Sequence, residues 1–132
     1  MTQEAADLWA RALQAFQTSH REAVADPDTA ASRAYYAVFY AVSAMFILEG
    51  KTFSRHSAIE IAVHRDLVNA GRWPTELGED YAFLLRLRAT GDYGGHIHVS
   101  PEEAQDAIQA AGRVLRAVQI AGPQVFPGLF PL

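Results

Sequence analysis

The sequence predicts an all-α protein: an up-and-down bundle of four to five helices with an extended apolar C-terminal tail. Helix start and stop signals recur at regular intervals, apolar residues repeat at steps of three or four, and strand-like alternation is nearly absent. A chain of 132 residues fits one domain with a single hydrophobic core. We therefore expect one bundle over residues 1–121 and a tail over residues 122–132.

The first two helices are predicted from caps and breakers. Thr2 is a candidate N-cap for a first helix that continues to about Ala25, before an Asp-Pro pair. Asp28 or Thr29 is expected to cap the second helix, which runs to Glu49 because the glycine that follows favours a helix C-terminus. The second helix is apolar nearly all round, which is typical of the central helix of a bundle.

Three more helices follow from the same signals. The third is expected over residues 54–70 and the fourth over residues 75–91, each ending at a glycine. The fifth, residues 101–121, has the clearest start, because Ser100 and Glu103 form a capping box around a proline at the first helical position.

The tail, residues 122–132, contains three prolines and two glycines and cannot form a regular helix. It is nevertheless too apolar for a free, solvated segment. Its apolar residues are Val125, Phe126, Leu129, Phe130 and Leu132. We expect the tail to pack on the bundle or on a partner subunit.

Composition narrows the classes of function. The absence of cysteine excludes disulfides, thiolate metal sites and thiol catalysis. A net charge of −4 argues against a broad duplex-binding face but leaves room for a small anion site built from arginine. The N-terminus lacks a secretory signal, and the longest apolar run, residues 34–48, is shorter than the roughly 20 residues that span a bilayer. We expect a cytoplasmic protein with no membrane association, no cofactor and no metal.

The second helix carries a polar stripe in its apolar sequence. At helical spacing its members share one face: Arg33, Tyr36, Tyr40, Ser43 and Ile47. Buried tyrosines often only bond a neighbour, so a hydrogen-bonded core is one interpretation. A polar site lined by a guanidinium and phenols is the other.

Arg88 lies on the apolar face of the fourth helix, where an unpaired charge would be costly. Asp92, four residues later, is the local candidate partner. The pair is either a structural salt bridge or an anion-binding or catalytic arginine that an aspartate orients.

The histidines give weaker signals. His96 and His98 follow in a glycine-rich segment, and a metal there would lack a carboxylate close in sequence. His56, Glu60 and His64 recur every four residues, but the outer two are about 12 Å apart along a helix, too far for one ion. His56 is expected to point inward near the start of its helix.

Three motifs in this order resemble the HEPN domain family of small α-helical bundles. Ser32–Phe39 is similar to the Ser-Arg-x-Tyr-Tyr-Ala-x-Phe run of its second helix. Gly50–His56 is similar to a Gly-Lys-x-x-x-x-His stretch that opens the third helix, and Arg88–Tyr93 to an Arg-x-x-x-Asp-Tyr motif that closes the fourth. The resemblance spans residues 30–121 and implies that the predicted bundle is HEPN-like.

The resemblance implies homodimers, or pairing with a small nucleotidyltransferase in a toxin–antitoxin-like pair, and metal-independent RNA cleavage in active members. In those members a histidine follows the arginine after four to six residues. Here Tyr93 follows Arg88 after four residues, and His96 follows after seven. A phenol with a pKa near 10 is a poor general base at neutral pH.

Three hypotheses follow. In the first, a non-catalytic or weakly catalytic protein binds a nucleotide or an RNA end in a groove formed by Arg33, Tyr36, His56, Arg88, Asp92 and Tyr93. In the second, the protein is a metal-independent endoribonuclease toxin, with Arg88, Tyr93 and His96 as candidate catalytic residues. In the third, it is a purely structural or regulatory homodimerisation module.

Overall fold

Five α-helices build the protein in a computed structural model that describes residues 2–128. They are α1 (Thr2–Glu22), α2 (Pro27–Leu48), α3 (His56–Ala62), α4 (Thr75–Tyr93) and α5 (Pro101–Ala121), with a π-helical turn, Val63–Val68, directly after α3. Residues 2–128 contain no strand. The predicted all-α bundle is therefore confirmed.

Helix α2 is the centre of the bundle and packs against α1, α4 and α5. Its buried residues are mostly small, which allows its neighbours to approach closely: Ala30, Ala31, Ala34, Ala37, Ala41 and Ala44 are all buried. Within residues 2–128 it is the one helix with the length and mean hydropathy of a membrane span. In this fold 56% of its apolar stretch is buried inside the bundle.

The helix starts follow local chemistry. Asp26 caps α2: its carboxylate accepts hydrogen bonds from the Thr29 backbone N–H (3.2 Å) and hydroxyl (2.6 Å). The predicted cap at Asp28 or Thr29 was wrong, because Pro27 occupies the first helical position, where its missing N–H costs nothing. The capping box of α5, with Ser100 and Glu103, is confirmed.

The third helix differs from its prediction. It begins at His56 without a side-chain cap, so the predicted cap at Ser54 is wrong. Beyond Ala62 the chain forms the π-helical turn, in which the Asn69 N–H donates to the His64 carbonyl, 2.8 Å away and five residues back.

Helix α4 continues past the predicted stop at Gly91. This glycine lies inside the helix because the start of α2 passes close by: a Cβ at Gly91 would be 2.6 Å from the Asp28 carbonyl oxygen. The Asp28 carboxylate also accepts a 2.7 Å hydrogen bond from the Val99 N–H and lies 2.6 Å from His98 Nδ1. The start of α2 therefore holds both the end of α4 and the connection to α5.

The described part of the tail contacts α1. Phe126 is fully buried, with its ring centre 5.2 Å from that of Trp9. The Trp9 indole N–H donates a 2.7 Å hydrogen bond to the Pro127 carbonyl. The remaining apolar tail residues, Leu129, Phe130 and Leu132, lie outside the described residues.

Candidate ligand-binding site

Arg88 is the centre of a cluster between α4 and α2. Its Nη2 donates a 2.9 Å hydrogen bond to the Tyr36 hydroxyl, which comes from the polar stripe of α2. Its guanidinium carbon lies 5.6, 5.5 and 5.4 Å from the ring centres of Tyr35, Tyr36 and Tyr93. These distances allow cation–π attraction to all three tyrosines.

Asp92, one turn further along α4, forms the predicted pair with Arg88. Arg88 Nε lies 3.0 Å from Asp92 Oδ2, but the buried Nε–H makes no aligned hydrogen bond within residues 2–128. Burial lowers the pKa of Arg88, but the hydrogen bond to Tyr36 and the nearby Tyr93 and Asp92 raise the pKa on balance. The guanidinium therefore remains a positive charge that is largely shielded from water.

The polar stripe of α2 extends the cluster towards α1. The guanidinium carbon of Arg33 lies 4.8 Å from the ring centre of Tyr36, so Arg33 and Arg88 approach the same ring. The Tyr40 ring, one turn later on α2, is 6.0 Å from the Tyr36 ring. The Arg33 guanidinium and the rings of Tyr36 and Tyr40 therefore form one continuous surface on α2.

His56 joins the cluster from the first turn of α3. Its ring stacks on Phe39 with 3.9 Å between ring centres, and its Nδ1 lies 3.3 Å from the Tyr35 hydroxyl oxygen. The residue nevertheless stays exposed on its other side, so the predicted inward orientation holds only in part. Burial of the covered face, and then the charge of Arg88, lower the pKa of His56 below its ordinary 6.5. The imidazole is therefore neutral at pH 7.

Tyr81 of α4 forms the buried side of the cluster. It is fully buried, with its ring centre 6.1 Å from that of Tyr35, and its hydroxyl makes no aligned hydrogen bond within residues 2–128. Burial raises the pKa of both Tyr35 and Tyr81. Both phenols therefore stay neutral, and neither adds a negative charge beside Arg88.

The six residues proposed as a binding set lie in one connected cluster. Arg33 contacts Tyr36, Tyr36 bonds Arg88, and Arg88 contacts Asp92 and Tyr93. His56 lies beside Tyr36, with 5.8 Å between ring centres.

The two histidines before α5 form no hydrogen bond or ion pair with the residues of this cluster. His96 is exposed and forms no hydrogen bond, ion pair or ring contact with Arg88. His98 pairs with Asp28 instead. Within residues 2–128, no group of three His, Asp or Glu side chains is placed to share a metal ion.

The sequence interpretation singled out neither Phe39, which belongs to the cluster, nor Arg11, which lies beyond it at the start of the surface towards α1. Phe39 follows Tyr35 by four residues, so helical spacing already places them side by side, next to the stripe. Arg11 belongs to α1, and its guanidinium carbon lies 5.8 Å from the Tyr40 ring centre. That contact joins two helices, and no local pattern in the sequence signals it.

Comparison with known proteins identifies the family. Residues 5–121 match the HEPN domain. A UPF0332 protein of Thermotoga maritima is 38% identical over 91 residues, which cover 69% of each chain. A UPF0332 protein of Gloeobacter violaceus is 35% identical over 120 residues, which cover 88% of this chain and 94% of the relative.

A more distant relative comes from Methanocaldococcus jannaschii, and its name describes it as a candidate toxin. It is 30% identical over 78 residues, which cover 59% of this chain and 53% of the relative. The domain match extends over nearly all of the bundle, and the three motifs that suggested the resemblance lie within it. The chain belongs to the HEPN domain family.

Proposed function

We propose that this HEPN-family protein binds a nucleotide or an RNA end at the cluster around Arg88 and cleaves RNA weakly or not at all. The observation that carries the proposal is a charged guanidinium held among the rings of Tyr35, Tyr36 and Tyr93. Arginine presents a planar fork that matches phosphate, and aromatic faces stack unpaired bases.

The exposure of Tyr93 favours a binding surface over a purely structural seam. Its side chain is 73% exposed although it lies against the guanidinium of Arg88. A tyrosine that served only the core would be buried like Tyr81. The cluster therefore combines a shielded charge with an aromatic ring that solvent, or a ligand, can reach.

The position of the histidines supports weak catalysis. His96 forms no hydrogen bond or ion pair with Arg88, and the phenol of Tyr93 is a poor general base. Unless His56 supplies the base, an arginine that binds phosphate in this arrangement would hold a nucleotide without cleaving its backbone.

A toxin–antitoxin-like role, as a homodimer or with a small nucleotidyltransferase, is the context we propose. The relative whose name describes it as a candidate toxin supports this context. Co-expression with a small nucleotidyltransferase from a neighbouring gene, followed by co-purification and sedimentation, tests it. Separate migration of the two chains would argue against the pair.

A second candidate function is metal-independent RNA cleavage, and the placement of His56 favours it. Its neutral imidazole lies in the cluster with Arg88, which suits a general base that acts beside a phosphate-binding cation. Cleavage of RNA in EDTA that His56→Ala abolishes and His96→Ala retains would support this function. Absence of cleavage by the wild-type protein would exclude it.

A melting screen with nucleotides and short RNAs tests binding directly. A ligand at 100 times its Kd stabilises the folded protein by about 2.7 kcal/mol. We expect at least one ligand to raise the Tm of the wild type and of Arg116→Ala, a matched control on the exposed surface of α5. Arg88→Ala should remove the shift. No shift with any nucleotide or RNA would contradict the proposal.

The same variants separate binding from a structural role. If Arg88 only held the fold together, Arg88→Ala would cost a few kcal/mol by leaving Asp92 unpaired, and no ligand would stabilise the wild type. Because the Asp92 side chain is 28% exposed, water can replace part of its lost partner. We therefore expect only a small loss of stability without ligand.

A further inference from the structure

An open groove of about 410 Å³ lies between α1 and α2. It is lined by Arg11, Gln14, Ala15, Thr18, Arg33 and Tyr40. Arg33 belongs to both the groove and the Arg88 cluster, because its guanidinium also lies against Tyr36. The groove therefore continues the candidate site instead of forming a separate pocket.

Arginines and tyrosines are interspersed along this continuous surface, which we name the Arg–Tyr ladder. Its members are Arg11, Tyr40, Arg33, Tyr36, Arg88 and Tyr93. The guanidinium carbon of Arg11 lies 5.8 Å from the Tyr40 ring centre, and the ring centres of Tyr40 and Tyr36 are 6.0 Å apart. The guanidinium carbons of Arg33 and Arg88 lie 4.8 and 5.5 Å from the Tyr36 ring centre. The guanidinium carbon of Arg88 is also 5.4 Å from the Tyr93 ring centre. The ladder joins three helices, α1, α2 and α4.

The groove end of the ladder carries positive charge without acidic partners. Within residues 2–128, neither Arg11 nor Arg33 forms an ion pair with a carboxylate. Arg21 adds a further cation near the groove, since its Nη2 donates a 3.0 Å hydrogen bond to the Thr18 hydroxyl. The chain as a whole has a net charge of −4, so this positive surface is a local feature. Such a surface attracts anions.

We propose that the Arg–Tyr ladder binds single-stranded RNA over several nucleotides, with Arg11 and Arg33 holding backbone phosphates beyond the Arg88 cluster. The inference rests on the proposed function and names the ligand as an oligonucleotide instead of a mononucleotide. Phosphate-binding cations interspersed with aromatic side chains are the arrangement that suits single strands, whose unpaired bases can stack. A paired duplex would leave the tyrosine faces unused and would need a broader basic surface.

Arg11→Ala is the decisive variant because it changes the groove and leaves the Arg88 cluster intact. Arg11 is exposed on α1, and alanine is the best helix former, so the variant should fold. Fluorescence anisotropy would measure binding of a labelled single-stranded RNA of about 12 nucleotides, and competition with AMP and UMP would measure mononucleotide binding. Arg116→Ala is the control on the exposed surface of α5. Arg88→Ala is the reference for loss of the whole site.

We expect Arg11→Ala to bind the oligonucleotide roughly three- to tenfold more weakly than the wild type. Its log–log salt slope should be smaller by about 0.7, the value for one phosphate contact to a single strand. Mononucleotide affinity should be unchanged in Arg11→Ala, whereas Arg88→Ala should lose both ligands. Arg116→Ala should behave as the wild type in every measurement.

The outcomes distinguish failure of the inference from failure of the proposed function. If Arg11→Ala binds the oligonucleotide as the wild type does while Arg88→Ala does not, the ladder does not extend to α1 but the Arg88 site stands. Tighter binding of duplex than of single strand would also overturn the inference. A change in sedimentation of Arg11→Ala with unchanged RNA affinity would show that the groove joins two copies of the chain. If the wild type binds neither ligand, both proposals fail.

Discussion

Replacing Gly91 with alanine is expected to destabilise the bundle, although alanine is the better helix former. Gly91 lies in the last turn of α4, against the start of α2. An added Cβ would be 2.6 Å from the Asp28 carbonyl oxygen and 3.4 Å from the Asp28 Cα. Both partners are backbone atoms, which cannot rotate away, so α4 and α2 would have to move apart.

The expected loss follows from two opposing effects. Helix propensity favours alanine over glycine by about 1 kcal/mol. Overpacking in a close-packed interface costs about 1–3 kcal/mol, and a backbone-to-backbone clash belongs in the upper part of that range. The net loss is therefore about 1–2 kcal/mol, which lowers the Tm of a chain of this size by roughly 3–10 °C.

Gly78→Ala is the matched control because Gly78 lies near the other end of the same helix. A Cβ there would be 3.0 Å from Val68 Cγ2 and 3.3 Å from His64 Nδ1, which are side-chain atoms that can shift. Thermal and urea unfolding, followed by far-UV circular dichroism, would compare the two variants. Equal stability of the variants, or a Gly91→Ala protein more stable than the wild type, would refute the proposed close approach of the two backbones.

Three further predictions concern the tail, an acid-sensitive contact and the histidine of the site. Phe126→Ala should lower the free energy of unfolding by about 3 kcal/mol, because Phe126 is fully buried. The control Gln124→Ala, at an exposed position, should change this free energy by less than about 0.5 kcal/mol. Equal melting temperatures of the two variants would contradict the contact of Phe126 with α1. For Asp28, partial burial raises the pKa of the carboxyl, but the hydrogen bonds from His98 and Val99 lower this pKa by more. The folded-state pKa of Asp28 therefore lies below 3.8. The ionised Asp28 carboxylate thus contributes its full stabilisation above pH 3.8, and this stabilisation is lost as the pH falls through the lower folded-state pKa. In urea unfolding, the free energy of unfolding of Asp28→Asn should therefore fall less in acid than that of the wild type. In NMR titrations the pKa of His56 should lie below 6.5, and it should rise in Arg88→Gln, because that variant lacks the neighbouring cation. A wild-type pKa at or above 6.5 would contradict the placement of the His56 ring.

Sequence reasoning succeeded where one residue type has one local role. The capping box at Ser100 and the left-handed glycine at Gly50, with φ 82°, need only neighbouring residues, and both are present. It failed where a residue responds to a distant part of the chain. Gly91 reads as a helix stop, yet it lies within α4 and leaves space for the backbone of α2.

In the candidate site, too, the pairs within one helix could be predicted from the sequence, whereas the contacts between helices could not be predicted from local patterns. Residues on one helix could be grouped by spacing, which placed Tyr36 beside Arg33 and Asp92 beside Arg88. The contacts between helices could be proposed only through the family resemblance. The hydrogen bond from Arg88 to Tyr36 joins residues 52 positions apart, and its formation depends on how α4 packs on α2. No local pattern in the sequence encodes how α4 and α2 are aligned against each other.

The π-helical turn, Val63–Val68, bears on how sequences of this family should be aligned. Its hydrogen bond from Asn69 to His64 encloses one residue more than an α-helical turn does. A relative with one residue fewer in this turn could form a continuous α-helix and keep the helices on both sides in place. A single-residue gap between α3 and α4 can therefore be placed inside this turn, where it need not shift the motifs of α2 and α4 relative to each other.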